Sequence, residues 1–120
     1  MVAQSWTYPE DWFQTNVMSL LKLVNFLKNV DFLDKYLHIT TPEVYGSQNS
    51  WSKESFNFNP TTPYATSRAT GDMIMKIYKE QFNLPVVFTR AANVYGPGQQ
   101  IYRIIPRTIL SVLTGKKLIL

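Results

Sequence analysis

Tyr64 and Arg68 stand four residues apart in the stretch Tyr64-Ala65-Thr66-Ser67-Arg68, which follows Pro63 and opens a segment of helical periodicity through Phe82. On a helix that spacing puts the phenol and the guanidinium on one face, so the cation can stabilise the phenolate and bring the tyrosine into use as a base. A solvated surface pair has the same spacing. Two further segments gather polar groups: His38-Ile39-Thr40-Thr41-Pro42-Glu43-Val44-Tyr45-Gly46, and Thr89-Arg90-Ala91-Ala92-Asn93-Val94-Tyr95-Gly96-Pro97-Gly98. Each reads as a short apolar strand running into polar residues and a glycine-bearing turn. Their hydroxyl, carboxylate and amide groups therefore collect at the carboxyl ends of strands, where an open α/β sheet binds ligands.

The elements that must carry these groups follow from periodicity. Trp12, Phe13, Val17, Leu20, Leu21, Val24 and Leu27 recur at helical spacing over 9–29, with Pro9 suited to a first turn. Residues 36–41 read as a buried strand bounded by charged and turn residues. The polar stretch 47–62 is longer than most loops in compact domains, and loops of that length tend to be functional. A second long helix covers 63–82, with Ala69, Met73, Ile74, Ile77 and Tyr78 suited to burial; Met73 and Met75 read as packing residues. The run Val86-Val87-Phe88-Thr89 has the composition of a strand buried on both faces. Two strand-helix units in succession imply parallel pairing with right-handed crossovers. Residues 101–114 carry Ile104, Ile105, Ile109, Leu110 and Leu113 at helical spacing, and 116–120 read as the start of another strand.

Taken in order, Thr-x-Glu-Val-Tyr-Gly, Pro-Tyr-x-x-Ser-Arg and Arg-x-x-Asn-x-Tyr-Gly-Pro resemble the extended short-chain dehydrogenase/reductase family. Within it the likeness is to nucleotide-sugar 4,6-dehydratases and their epimerase and decarboxylase relatives. The resemblance covers nearly the whole chain and implies an α/β fold, part of a Rossmann-like doubly wound parallel sheet, with NAD as cofactor and a nucleotide-diphosphate sugar as substrate. It implies Tyr64 as the base at the sugar 4-hydroxyl, since an unperturbed phenol has a pKa of about 10 and needs a nearby cation to act near neutrality. Thr41 would hold the same hydroxyl, and Glu43 would act at C5 and C6. Asn16, in Thr15-Asn16-Val17, matches a family motif that orders the active-site water and main chain; otherwise it is one polar residue on a helix face. Ala3 and Thr40, with Tyr64 and Arg68, would face the cofactor. Asn93 and Arg103, with Thr41, would face the substrate, although Asn93 also suits a turn and Arg103 an exposed helix.

Two positions depart from the resembled pattern. Arg68 stands where the family has lysine; its guanidinium keeps a fixed charge and can donate to ribose hydroxyls, but it practically never gives up a proton. Pro42 stands where many 4,6-dehydratases have an aspartate, so Glu43 would both take the C5 proton and help water leave. A glutamate at this place also occurs in decarboxylases, and alone it suits a helix cap or the surface.

The 120 residues suffice for one small domain with a core. They contain no glycine-rich phosphate loop: Gly46, Gly71, Gly96, Gly98 and Gly115 are too dispersed. Resembled proteins are more than twice as long and begin with that loop. The expectation is therefore an internal fragment, residues 1–120 forming the central catalytic portion of one domain, lacking the N-terminal glycine-rich βαβ unit and most of the C-terminal substrate lobe. With no cysteine and one histidine, the sequence supports neither disulfides nor a recognisable metal-ligand spacing. The net charge of +4 is spread without a dense basic run, which argues against nucleic acid and for attraction of anionic small molecules. No membrane-spanning run or signal peptide is visible, making the cytoplasm the default compartment. The two long helices are apolar over more surface than one sheet face needs, and the resemblance implies a homodimer through 9–29 and 63–82.

Overall fold

The computed structural model describes residues 2–118. A 3₁₀ turn, Ala3–Trp6, leads into α1 (Pro9–Phe13), a π-helical turn (Gln14–Ser19) and α2 (Leu20–Leu27), which together form one continuous interrupted helix. Then follow β1 (Tyr36–Ile39), a second 3₁₀ turn (Pro42–Tyr45), α3 (Pro63–Phe82), β2 (Val86–Thr89) and α4 (Ile104–Thr114). The strands pair in parallel, Tyr36 opposite Val86 and Ile39 opposite Thr89, so the chain between them makes the crossover that parallel pairing requires.

Helix α3 has its limits written into local chemistry. Thr62 sits in extended conformation and its hydroxyl accepts from the Ala65 amide at 3.1 Å, while Pro63 occupies the first turn, where a missing N–H is harmless. The helix stops at Asn83, which adopts the left-handed conformation at φ 52°. Its buried face is Ala65, Ala69, Asp72 and Met75, with Ser67 and Gly71 beside it. Met75 joins Val24, Leu84 and Val86 in the main core, where burying such a side chain contributes about 1.5–3 kcal/mol. A smaller cluster of Val44, Tyr45 and Ala69, backed by Phe58, fastens the second 3₁₀ turn to α3.

Several expected features come out differently. Met73 and Ile77 are exposed although they suit burial, because the helical phase set by Ala65, Ala69 and Met75 turns them to the opposite face. The strands are buried on one face only: His38 and Val86 point at the helices, whereas Leu37, Ile39 and Val87 are exposed. Strand β1 ends at Ile39, two residues early, as Thr41 becomes the cap of the following turn. Ala3 lies exposed in a 3₁₀ turn and not at the end of a strand. Helix α4 begins at Ile104 and buries none of its residues. Lys116–Leu118 form no strand; Ile119 and Leu120, the rest of that expected element, lie outside the described residues.

Candidate active site

The segment between β1 and α3 brings the first group of candidate residues together. Thr41 is the cap of the Pro42–Tyr45 turn, its hydroxyl accepting from the Glu43 amide at 3.3 Å. Glu43 is therefore not the cap, and its carboxylate is free to face solvent in the first turn. The turn closes on Gly46, at φ 68°, whose α-carbon packs so tightly on the chain that an added Cβ would lie 2.2 Å from the Asn59 carbonyl oxygen. Glu43, Gly46, Ser47, Thr61, Thr62 and Ala65 line a cavity of about 280 Å³. Tyr64, the residue before Ala65, is half-buried, with its ring edge-on to Trp12 at 5.2 Å between centroids.

Asn16 lies in the π-helical turn, a feature frequent at functional sites. Its side-chain amide donates to the Ser67 hydroxyl at 2.9 Å, and Ser67 donates to the Tyr64 carbonyl at 2.8 Å. The motifs alone assign no role to Ser67; its place three residues after Tyr64 is the available signal. Across this contact Gly71 lets the helices approach, since a Cβ there would stand 3.1 Å from the Asn16 carbonyl oxygen. Arg68 donates through Nη2 to the Ile39 carbonyl at the end of β1. Parallel pairing turns the Tyr36 and Thr40 amides toward β2, so alternation places the Ile39 carbonyl on the opposite edge of β1. Asn16, Arg68, Ile39 and Leu20 share a second cavity of about 420 Å³.

Asn93 and Arg103 meet elsewhere. They line a third cavity, of about 430 Å³, with Tyr95, Gln99 and Tyr102 between β2 and α4. Of the candidate residues, Thr41 and Glu43 thus share one turn, Asn16 and Arg68 a second cavity, and Asn93 and Arg103 a third.

Behind the site lies a buried charge cluster that sequence reasoning missed. Asp72, fully buried on α3, accepts from Arg90 Nη2 at 2.9 Å, and its other oxygen lies 3.2 Å from His38 Nε2 without the alignment of a hydrogen bond. The Arg90 guanidinium is surrounded by the rings of Tyr45, Phe56, Phe58 and Phe88 at 5.2–5.8 Å. Nothing in local spacing joins residues 38, 72 and 90; only the fold does.

A model of the NAD dependent epimerase/dehydratase family matches residues 1–120. The chain belongs to that family. Among its relatives, dTDP-D-glucose 4,6-dehydratase of Dictyostelium discoideum is 36% identical over 116 residues, covering 87% of this chain and 26% of the relative. The human dTDP-D-glucose 4,6-dehydratase is 42% identical over 86 residues, which is 71% of this chain and 25% of that protein. In three dimensions the chain is similar to a dTDP-glucose 4,6-dehydratase from Streptomyces venezuelae solved with NAD bound, at TM-score 0.81 and 33% identity, over 98% of this chain and 37% of the other. It is equally similar to a UDP-N-acetylglucosamine 4-epimerase from Methanobrevibacter ruminantium, at TM-score 0.84 and 31% identity, over 100% of this chain and 40% of that one. The chain thus spans a quarter to two fifths of the length of these relatives, and its architecture is part of their Rossmann-like α/β fold.

NAD is the family's cofactor. The residues present fit a polar group of such a cofactor: Thr40 Oγ1 and Arg68 Nε are buried polar atoms without a partner near the end of β1. Ala3 offers nothing comparable, as it lies exposed on its turn.

Proposed function

We propose that the protein is an NAD-dependent nucleotide-sugar 4,6-dehydratase, converting an NDP-glucose to the NDP-4-keto-6-deoxy sugar. The observation that supports this reading is the packing of the turn that Thr41 caps and Glu43 occupies against the helix that carries Tyr64. A short strand ends in a capped turn bearing the carboxylate, and that turn packs on the first turns of the helix bearing the phenol.

In this reading Thr41 and Tyr64 bind the sugar 4-hydroxyl, and Tyr64 takes its proton as C4 is oxidised. Thr40, Tyr64 and Arg68 would hold NAD, which when bound would supply the hydride acceptor for C4 and the hydride donor for C6. The ketone at C4 acidifies the C5 hydrogen. Glu43 takes that proton and helps the C6 hydroxyl depart as water, directly or through a water molecule, since Pro42 offers no second acid. C5 regains a proton as hydride reaches C6, which balances the one Tyr64 took from the 4-hydroxyl. Arg68 contributes fixed positive charge beside the phenol, and Asn16 holds the helix carrying both through Ser67. Asn93 and Arg103 face the nucleotide sugar from the third cavity.

The test is direct. The complete gene product, incubated with NAD and dTDP- or UDP-glucose, should yield a 4-keto-6-deoxy product recognised by its alkali-induced absorbance. A C4 epimer as the sole product would replace this reading with an epimerase, which the likeness to the Methanobrevibacter enzyme favours. Tight nucleotide-sugar binding without turnover would indicate a non-catalytic relative, a reading favoured by the Arg68 guanidinium being held on a backbone carbonyl.

Assembly and compartment complete the proposal. Met18, Leu23 and Phe26 on the first helix and Met73 and Ile77 on α3 are exposed, and a second copy packed on these helices would cover them, giving a homodimer in the cytoplasm. Sedimentation of the complete protein as a monomer at micromolar concentration would count against the dimer.

A further inference from the structure

The loop 47–62 joins the turn that bears Glu43 to α3, whose second residue is Tyr64. Half of the loop is fixed. The Tyr45 hydroxyl accepts from the Ser55 amide at 3.1 Å and donates to the Ser55 carbonyl at 3.0 Å, and the Asn59 amide donates to Val44 at 2.9 Å. Between those ties stand Phe56 and Phe58, whose rings flank the Arg90 guanidinium at 5.2 and 5.3 Å. Arg90 is 9% exposed, and its ion pair with Asp72 fixes it to the middle of α3. Directly after it comes the segment bearing Asn93. One planar cation therefore touches the loop, the helix and the end of β2 at once, through ring faces on one side and a carboxylate on the other.

We propose that Arg90 is a positioning residue. It orders the 54–60 part of the loop and through it holds Glu43 and Tyr64 in register, without touching substrate itself. Lysine at this position would keep a charge opposite Asp72 but lose the planar group that lies among the rings, so it separates the two halves of the contact.

Hydrogen exchange on the complete gene product tests the proposal. In Arg90→Lys the amides of Ser55, Phe58 and Asn59 should exchange at least about tenfold faster, while those of Thr40 and Met75 stay within about twofold of the parent. Unchanged loop amides would overturn the proposal. Uniform acceleration of loop and core alike would also overturn it, by reducing Arg90 to a general stabiliser. If Arg90→Lys fails to fold, Phe56→Leu carries the same test, because it removes one ring and leaves the ion pair. The catalytic consequence rests on the dehydratase reading, whereas the loop order does not. With turnover, kcat in Arg90→Lys should fall about tenfold at a KM within about twofold of the parent, and an unchanged kcat would refute the positioning role. A parent without turnover would sink the dehydratase reading alone, and exchange would still decide the role of Arg90 in the loop.

Discussion

The side-chain amide of Asn16 donates to the hydroxyl of Ser67 at 2.9 Å across 51 residues of sequence, and Ser67 passes its own proton to the carbonyl of Tyr64. A π-helical turn in one helix is thereby fixed to the first turns of another, close to the proposed base. Ser67 is fully buried, so Asn16→Ala leaves its hydroxyl, which still donates to Tyr64, without a donor to its oxygen. Ser67→Ala instead leaves a half-buried amide that water can reach. An unmet buried acceptor costs about 1–3 kcal/mol. Asn16→Ala should therefore lower the urea midpoint by more than Ser67→Ala does. The double variant should be less destabilised than the sum of the two, by about 0.5–1.5 kcal/mol. Strict additivity in that cycle would mean that the two side chains do not act together.

Tyr64 is the proposed base. Tyr64→Phe keeps the edge-on packing against Trp12 and removes only the hydroxyl. Turnover should fall roughly 100- to 10,000-fold, the range for losing a general base, with nucleotide-sugar binding nearly unchanged. Calorimetry beside steady-state rates separates the two effects, and full turnover in the variant would remove Tyr64 from the mechanism.

Arg68 should tolerate lysine better than a neutral residue. If its charge assists the phenol one helical turn away, Arg68→Lys keeps that charge and frees a compact donor, so turnover should be retained or raised, whereas Arg68→Gln should lower it by about tenfold or more. Equal rates in the two variants would show that charge at this position does not assist the phenol.

Two glycines offer a contrast in stability. At Gly46 a side chain is forbidden twice over, by the backbone at φ 68° and by the Asn59 carbonyl oxygen, which would lie 2.2 Å from an added Cβ. Gly46→Ala should cost more than about 3 kcal/mol, because strain and collision add. Gly98 also has positive φ, 80°, but open space around it, so Gly98→Ala should cost about 1–2 kcal/mol from the backbone alone. Denaturant midpoints compare them, and equal losses would contradict the close contact at Asn59.

These 120 residues on their own should bind NAD more weakly than micromolar and turn nothing over. The proposed cofactor contacts, Thr40, Tyr64 and Arg68, come without a glycine-rich turn for the pyrophosphate, which a helix N-terminus normally anchors. The exposed Leu37, Ile39 and Val87 on the sheet should also promote association. Titration of a monodisperse preparation showing micromolar affinity would contradict this.

Local chemistry determined much of what is seen. Helix α3 covers 63–82 as the sequence predicts, and Thr62, Pro63 and Asn83 delimit it, because caps and φ preferences act within a few residues. The β-branched run ending at Thr89 forms β2, and the ordered motifs around Glu43, Tyr64 and Asn93 identify the family. What needed the tertiary structure is every relation between distant residues. Periodicity alone could not choose which apolar stripe of α3 goes inside; contact with Val24 and Val86 buries Met75 and leaves Met73 and Ile77 outside. The interrupted helix at Asn16 and the cluster of His38, Asp72 and Arg90 were invisible for the same reason. Their partners come from elements far apart in the chain, and the energy of a buried charge or hydrogen bond depends on neighbours that only the folded core supplies.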